Sequence, residues 1–393
     1  MLGRLTMMKS SKTIILPCIS IFIVLLINST YAKKYQSRVS DNPFPIFKPE
    51  SVGIESDTLN IFSDQIQEWL DEDEIVGAIL TIIKSRKTVF HEAFGWREKE
   101  REIPMEKNTI CRLRSMTKPF VGTSILMLSE QGKLALSDRV AKYFPSYKNE
   151  KCQNITIEQL ITHTGGFKQP GYPWGPNFYK DLKSLVETIG KSGPSFAPGE
   201  RYVYSDAGSS TLAYIVTEIS EMPVEDFIQK NILDKLGMSN TFCNLTEDDP
   251  RRSAVSCTYS GGKGTWNKYW DNSSPQAVPY FRGSGGIYST TTDYARFLAM
   301  WMDEGSAGSR QFLKSETVKQ ALTPSDLSKN GNGGYGFHWE IYKKSELVFG
   351  HRGSDGTLAI AAPQKDLMFL YFTQSRGNKT VSEMLYLFFD VFY

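Results

Sequence analysis

The sequence predicts an α+β fold in which one sheet layer is built from both ends of the chain around an inserted, mostly helical region. Three observations lead there. Residues 77–83 and 88–94 are β-branched and aromatic runs separated by Lys84-Ser85-Arg86-Lys87, the pattern of a hairpin. Three more apolar runs, 347–350, 356–362 and 367–373, lie near the C-terminus. Between the two groups the apolar residues fall mostly at helical spacing, as Ile125, Leu126 and Leu128 do.

In chain order, Arg4, Lys9 and Lys12 precede the apolar stretch 14–27, and Thr30-Tyr31-Ala32 ends on a small residue. This is the three-part layout of an export signal. Its 14 apolar-run residues, interrupted by Pro17 and Ser20, fall short of the roughly 17–25 a spanning helix needs. We therefore read 1–32 as a cleaved signal, with an uncleaved anchor as the alternative, and expect a periplasmic or secreted protein. Residues 33–45 read as a polar tether and 46–393 as one domain, its helical insertion spanning about 146–280. Helices are expected over 57–70, 115 to about 132, 155–162, 182–189, 209–219, 224–236 and 291–303, and from about Val381 to the end. The acidic run from Asp71 to Glu74 reads as solvated surface, and 168–177 and 261–279 as loops rich in proline or glycine. No repeat of solenoid or propeller period is present.

Composition narrows the functional classes. The chain has 393 residues, 40% hydrophobic and 12% aromatic, which excludes a disordered or fibrous protein. Its 45 basic and 43 acidic residues become 42 and 43 once residues 1–32 are removed, so no basic excess remains to recruit nucleic acid. Beyond Cys18 there are Cys111, Cys152, Cys243 and Cys257; Cys243–Cys257 is the preferred pair if any disulfide forms, against four buried free thiols. His91, His163, His338 and His351 are scattered, and no CxxC or HExxH spacing occurs, so neither metal nor cofactor is expected.

The sharpest chemical feature is Ser115-Met116-Thr117-Lys118 at the head of a predicted helix. Three residues is about one turn, which puts the hydroxyl and the amine on one face with Cβ atoms about 5–6 Å apart. A serine needs a neighbouring base to become a nucleophile, a lysine can serve as one, and the helix N-terminus favours an oxyanion. The competing reading is a helix-capping serine with an exposed lysine one turn on. A second copy of the pattern, Ser260-Gly261-Gly262-Lys263, falls in a glycine-rich loop with no helix to align it.

Ser115-Met-Thr-Lys118 does not stand alone. In order along the chain come Arg114-Ser-Met-Thr-Lys-Pro-Phe120, Gln131-Gly-Lys-Leu-Ala-Leu-Ser-Asp138, Ile161-Thr-His-Thr-Gly-Gly-Phe167 and Phe196-Ala-Pro-Gly-Glu-Arg201 with Tyr204-Ser-Asp206. Gly283-Ser-Gly-Gly-Ile-Tyr-Ser-Thr290 and Gly350-His-Arg-Gly353 follow. Over about Val76 to Ser375 the sequence resembles the serine β-lactamase and penicillin-binding-protein superfamily, closest to its class C branch, with D-alanyl-D-alanine carboxypeptidases and esterases. That resemblance implies an antiparallel sheet flanked by helices. It also implies Ser115 as nucleophile, Lys118 as base or relay, and Tyr204 as partner in proton transfer. By the same resemblance His351-Arg352-Gly353 lines the substrate strand, with His351 bonding the Tyr204 hydroxyl or substrate. Gly353 allows close approach, and the backbone NH of Ser354 joins that of Ser115 as oxyanion hole. His163 and the glycines 283–286 read as architectural.

Two residues depart from the pattern. Asp206 replaces an asparagine that contacts the substrate, and a carboxylate there would pair with Lys118 and keep it protonated. Arg352 replaces a small hydroxyl residue. Both favour an exported hydrolase of small esters, amides or D-amino-acid peptides over a dedicated β-lactamase. The aromatics Phe167, Tyr172, Trp174, Phe178 and Tyr179, with Trp266, Tyr269, Trp270, Tyr280 and Phe281, could wall the cleft for an acyl or aryl group or simply pin two loops. The alternative from a different class is a non-catalytic relative that binds penicillin or peptidoglycan fragments; a conventional Ser-His-Asp hydrolase lacks its G-x-S-x-G elbow here.

Overall fold

The sheet does close from both ends of the chain. The computed structural model describes residues 43–169, 178–246, 248–274, 278–331, 333–343 and 346–393, so the expected export signal lies outside the described residues, as do Tyr172 and Trp174. Residues 43–393 form one compact unit. The helix α1 (Ser56–Asp71) leads into β1 (Gly77–Lys84), β2 (Lys87–Glu98) and the short β3 (Ile103–Pro104). The helices α2 (Lys118–Glu130), α3 (Asp206–Ser220) and α4 (Thr291–Met302) are among the elements that separate these from the C-terminal strands. Those are β4 (Gly334–Tyr335), β5 (Glu340–Lys343), β6 (Val348–Gly353), β7 (Thr357–Ala362) and β8 (Leu367–Phe372), followed by α5 (Thr380–Phe392). The sheet order is β4-β5-β6-β7-β8-β1-β2-β3, and every adjacent pair is antiparallel. Its seam is β1 against β8, with Ile79 opposite Phe372 and Lys84 opposite Leu367.

The continuous apolar character of β1, β7 and β8 reflects burial on both faces. Alternate side chains serve different cores. Ile79, Ile83, Ala359, Ala361, Met368, Leu370 and Phe372 join the core shared with α2, α3 and α4. Ala78, Leu80, Ile82, Leu358, Ile360, Leu367 and Phe369 join Leu59, Phe62, Ile66 and Trp69 of α1 and Met384 and Phe388 of α5. The helix α1 presents its buried residues at positions three and four apart, as its periodicity predicts, whereas α2 is buried on all sides from Lys118 to Leu128. A fully enclosed helix can put a charged side chain in the interior only if a partner waits for it.

The structure corrects several local expectations. Residues 261–279 are not all loop: Asn267–Trp270 is a strand against Thr258–Ser260. The 224–236 helix is interrupted by a π-turn at Gln229–Leu233. The strands β4 and β5 and the helix Ser315–Ala321 were not anticipated, being short or mostly polar. The strand expected over 347–350 continues to Gly353, so His351-Arg352-Gly353 lies within β6. The preferred Cys243–Cys257 pair does not form: all four described thiols are buried and free. Cys243 belongs to the main core and Cys257 to a separate cluster with Val76 and Tyr259. Among the described residues no helix is long and apolar enough to cross a membrane.

Phe120 of α2 has no exposed surface and stacks on Phe297 of α4 at 3.9 Å between ring centroids. Phe120→Ala is expected to cost about 3–5 kcal/mol, because the packed helices around it cannot collapse into the void. Urea denaturation of the two proteins measures it.

Candidate active site

The turn Arg114–Thr117 is a 3-10 helix that runs directly into α2. In a 3-10 turn, residues three apart eclipse one another. Ser115 and Lys118 accordingly face the same way, with Lys118 Nζ donating to Ser115 Oγ at 3.4 Å. Ser115 is half-buried while Lys118 has no exposed surface. The buried ammonium is met by Asp206, the first residue of α3, at 2.8 Å. The helix N-terminus also favours the carboxylate. The other Asp206 oxygen faces Arg282 Nη2 at 3.5 Å, and the Asp206 backbone NH donates to Gln169 Oε1 at 2.9 Å. Burial pushes the Asp206 carboxyl up, but the charges of Lys118 and Arg282 outweigh it and hold it below the usual carboxylate range.

Tyr204, two residues before Asp206, is brought to the same point. Lys118 Nζ lies 4.4 Å from the centre of its ring, and its phenol lies near Ser115. Burial, with the nearby Asp206 charge, pushes the Tyr204 phenol well above its ordinary value. The resting site therefore holds a neutral phenol, an ammonium and a carboxylate around one serine hydroxyl.

His351, Gly353 and Ser354 lie at and just beyond the end of β6, and alternation along the strand separates their roles. His351 and Gly353 are buried; Arg352 and Ser354 are exposed. A Cβ on Gly353 would sit 2.2 Å from the Leu113 carbonyl, so only glycine lets β6 lie this close to the segment leading into Ser115. Arg352 pairs with Glu340 of β5 at 2.8 Å. The expected bond from His351 to Tyr204 is absent. Its Nδ1 donates to the Arg352 carbonyl at 2.8 Å, which leaves Nε2 as an acceptor for the Tyr335 hydroxyl at 2.9 Å. Both ring nitrogens are engaged, and the His351 and Tyr204 rings stand 6.3 Å apart.

Tyr335, Glu340, Arg282, Gln169 and His338 were all missed in the sequence. Each acts through a partner distant along the chain, and the only local signal was the glycine and aromatic run Gly333-Gly-Tyr-Gly-Phe-His338. His338 Nδ1 donates to the Lys118 carbonyl at 2.8 Å and its Nε2 accepts from Ser209 at 3.2 Å, tying α2 to α3 behind the lysine. His163 packs on Tyr204 and Tyr335, with Nδ1 accepting from the Ser205 NH at 3.3 Å. In front of this layer opens a cleft of about 690 Å³ whose walls include Tyr202, Tyr204, Tyr335, Arg352, Gly353 and Ser354. None of the described aromatic residues expected to wall it lines this cleft: Phe167, Tyr179 and Phe281 are core, Trp270 packs on Tyr288, and Trp266 bonds the Asp73 carbonyl. Phe178 is exposed and Tyr269 lies against Arg376.

Comparison with known proteins bears on the fold as a whole. The family model described as Beta-lactamase matches residues 62–388. A protein of Escherichia coli (strain K12), provisionally named a D-alanyl-D-alanine carboxypeptidase, is 24% identical over 375 residues, covering 83% of this chain and 85% of that one. Among solved structures, a class C beta-lactamase superposes with a TM-score of 0.72 at 19% identity, covering 86% of this chain and 97% of that one. EstCE1, a hydrolase with promiscuous acyltransferase activity, gives 0.70 at 19% identity, covering 81% and 94%.

His163, His338 and His351 are all held neutral, chiefly by burial; the first two lie well below the ordinary histidine value and His351 is pushed down to about 3. Below about pH 6.5 the unfolded chain binds protons that the folded chain refuses. Stability is therefore expected to be level above about pH 7 and to fall below about pH 6.5, by up to about 1.4 kcal/mol per pH unit for each histidine. Urea midpoints across this range measure the slope, and His338→Gln should reduce it.

Proposed function

Since the chain belongs to the beta-lactamase family of serine hydrolases, we propose that it is an exported enzyme cleaving small esters or amides through an acyl-enzyme on Ser115. The observation that carries this reading is the Ser115 hydroxyl held at 3.4 Å from a buried ammonium that also lies 4.4 Å from the centre of the Tyr204 ring. Substrate lies in the cleft with its carbonyl between the backbone NH groups of Ser115 and Ser354, and Gly353 gives it room. Export rests on the charge and apolar pattern of residues 1–32.

The proton traffic follows from the charges. Lys118 is committed to Asp206, and Tyr204 begins as a phenol, so the resting pair has no free base. The reactive form is the one in which Tyr204 and Lys118 together have lost one proton. That pair takes the Ser115 proton as Oγ attacks the carbonyl, and passes it to the departing alcohol or amine. It then accepts a proton from the water that attacks the acyl carbon and returns that proton to Ser115 Oγ as the acyl–Oγ bond breaks and the acid departs. Ester or D-amino-acid peptide substrates are favoured over β-lactams, because the Asp206 carboxylate is engaged by Lys118 and Arg282 and carries no NH to offer a substrate.

Two measurements test this. Wild-type protein is expected to give an acyl burst with an activated ester and a fluorophosphonate adduct on Ser115 by mass spectrometry. Across short-chain esters, D-alanyl peptides and a chromogenic cephalosporin, the esters or peptides should turn over fastest. Lys118→Ala should slow acylation by about 10²–10⁴-fold. No burst and no adduct would sink the catalytic reading, and preference for the cephalosporin would overturn the assignment of substrate.

The second concerns pH. Because the reactive form is deprotonated, kcat/KM for an ester should rise with pH from about 7 to about 10. Asp206→Asn removes the charge that helps hold the Tyr204 phenol up. The rising limb should then move to lower pH by about one unit or more. An unmoved limb would show that Asp206 does not govern the proton.

A further inference from the structure

We propose that Asp355 is a positioning residue that holds the two halves of the oxyanion hole in register, by anchoring Arg114, the neighbour of Ser115, to the turn that carries Ser354. The inference rests on the catalytic reading of Ser115 and concerns how that site is kept in shape.

Asp355 follows Ser354 in the turn between β6 and β7 and has no exposed surface. Three guanidiniums surround its carboxylate: Arg114 Nε at 3.3 Å, Arg112 Nε at 3.5 Å and Arg376 Nε at 3.9 Å. These are charge contacts, not aligned hydrogen bonds. Arg114 Nε also reaches Ser354 Oγ at 3.5 Å. One side chain thus touches both residues that follow Gly353, while its own backbone immediately precedes the nucleophile.

That backbone needs holding. Arg114 has φ of 50°, in the left-handed region that residues other than glycine, asparagine and aspartate seldom occupy. Each residue before it is tied as well. The Gln374 side chain takes both the NH and the carbonyl of Arg112, at 3.1 and 3.2 Å. The Leu113 NH donates to the Ile287 carbonyl at 3.0 Å, and its carbonyl accepts from Thr357 Oγ1 at 3.3 Å. Arg114 is the last tie before Ser115, and its anchor is Asp355. An oxyanion hole works only if its donors stand where the charge will develop, so a shift of either half is felt in the transition state more than in substrate binding.

A purely structural ion pair would have another signature, and Arg376 provides the control because it faces the same carboxylate from the strand Ser375–Arg376 without adjoining the nucleophile. Single-turnover acylation by an activated ester, expressed per site titrated with a fluorophosphonate, separates rate from folded fraction. Asp355→Asn and Arg114→Gln are each expected to lower this rate by about a hundredfold, the scale of one lost oxyanion donor, with KM little changed. Affinity for a phosphonate analogue of the tetrahedral intermediate should fall in parallel. Arg376→Gln should leave both within about threefold of wild type, and Arg114→Lys, which retains the charge, should recover part of the loss. The proposal is overturned if Arg376→Gln loses as much as Arg114→Gln, or if either principal variant acylates at the wild-type rate per site. Should Asp355→Asn fail to fold, Arg114→Gln and its lysine counterpart decide alone. If wild-type protein itself forms no adduct, it is the catalytic reading of Ser115 that falls.

Discussion

The site depends on one buried charge. Lys118 sits in a helix enclosed on every side, where an ammonium without a partner would cost several kcal/mol. Asp206 is that partner, and its position at the start of α3 fixes how the two helices meet. Much of the surrounding polar structure is organised around this pair. Arg282 offsets the carboxylate from the far side, and Gln169 holds the Asp206 backbone. His338 ties the Lys118 carbonyl to Ser209 of α3, and Tyr204 covers the ammonium with its ring.

The sheet supplies the second side of the site. Buried on both faces over most of its length, β6 comes to the surface only near its end, where His351 and Gly353 are buried while Arg352 and, just beyond the strand, Ser354 are exposed. Gly353 removes the one Cβ that would hold the strand off the Leu113 carbonyl. The segment leading into Ser115 and the strand are thus brought together by a missing side chain as much as by any contact. The Tyr335 hydroxyl holds His351 by its Nε2 and keeps it turned from Tyr204.

Much of this was legible in the sequence. The strands β1, β7 and β8 announced themselves as unbroken apolar runs because both faces are buried, and α1 by its spacing. Ser115 with Lys118 was visible because three residues suffice to define one turn. The Lys118–Asp206 pair was legible only by resemblance, since 88 residues separate the partners. What stayed hidden was the identity of each second partner. His351 could have turned to Tyr204 or to Tyr335, and Arg352 inward or to Glu340, and no local pattern decides such a choice. The short strands β4 and β5 were hidden for a different reason: two to four residues with mixed polarity carry too little periodicity to register.

The seam between β1 and β8 sets the order in which the molecule can be made. Ile79 pairs with Phe372, so the strand that opens the sheet waits for almost the whole chain before its central neighbour exists. Until then β1 has only β2 beside it, and its other edge is an apolar template for association with other chains. Such distant pairing makes for slow folding from a complete polypeptide, not growth outward from the N-terminus during synthesis. A chain cut short before residue 367 would lack β8 altogether and leave that edge permanently open, which makes truncated or stalled products of this protein prone to aggregate.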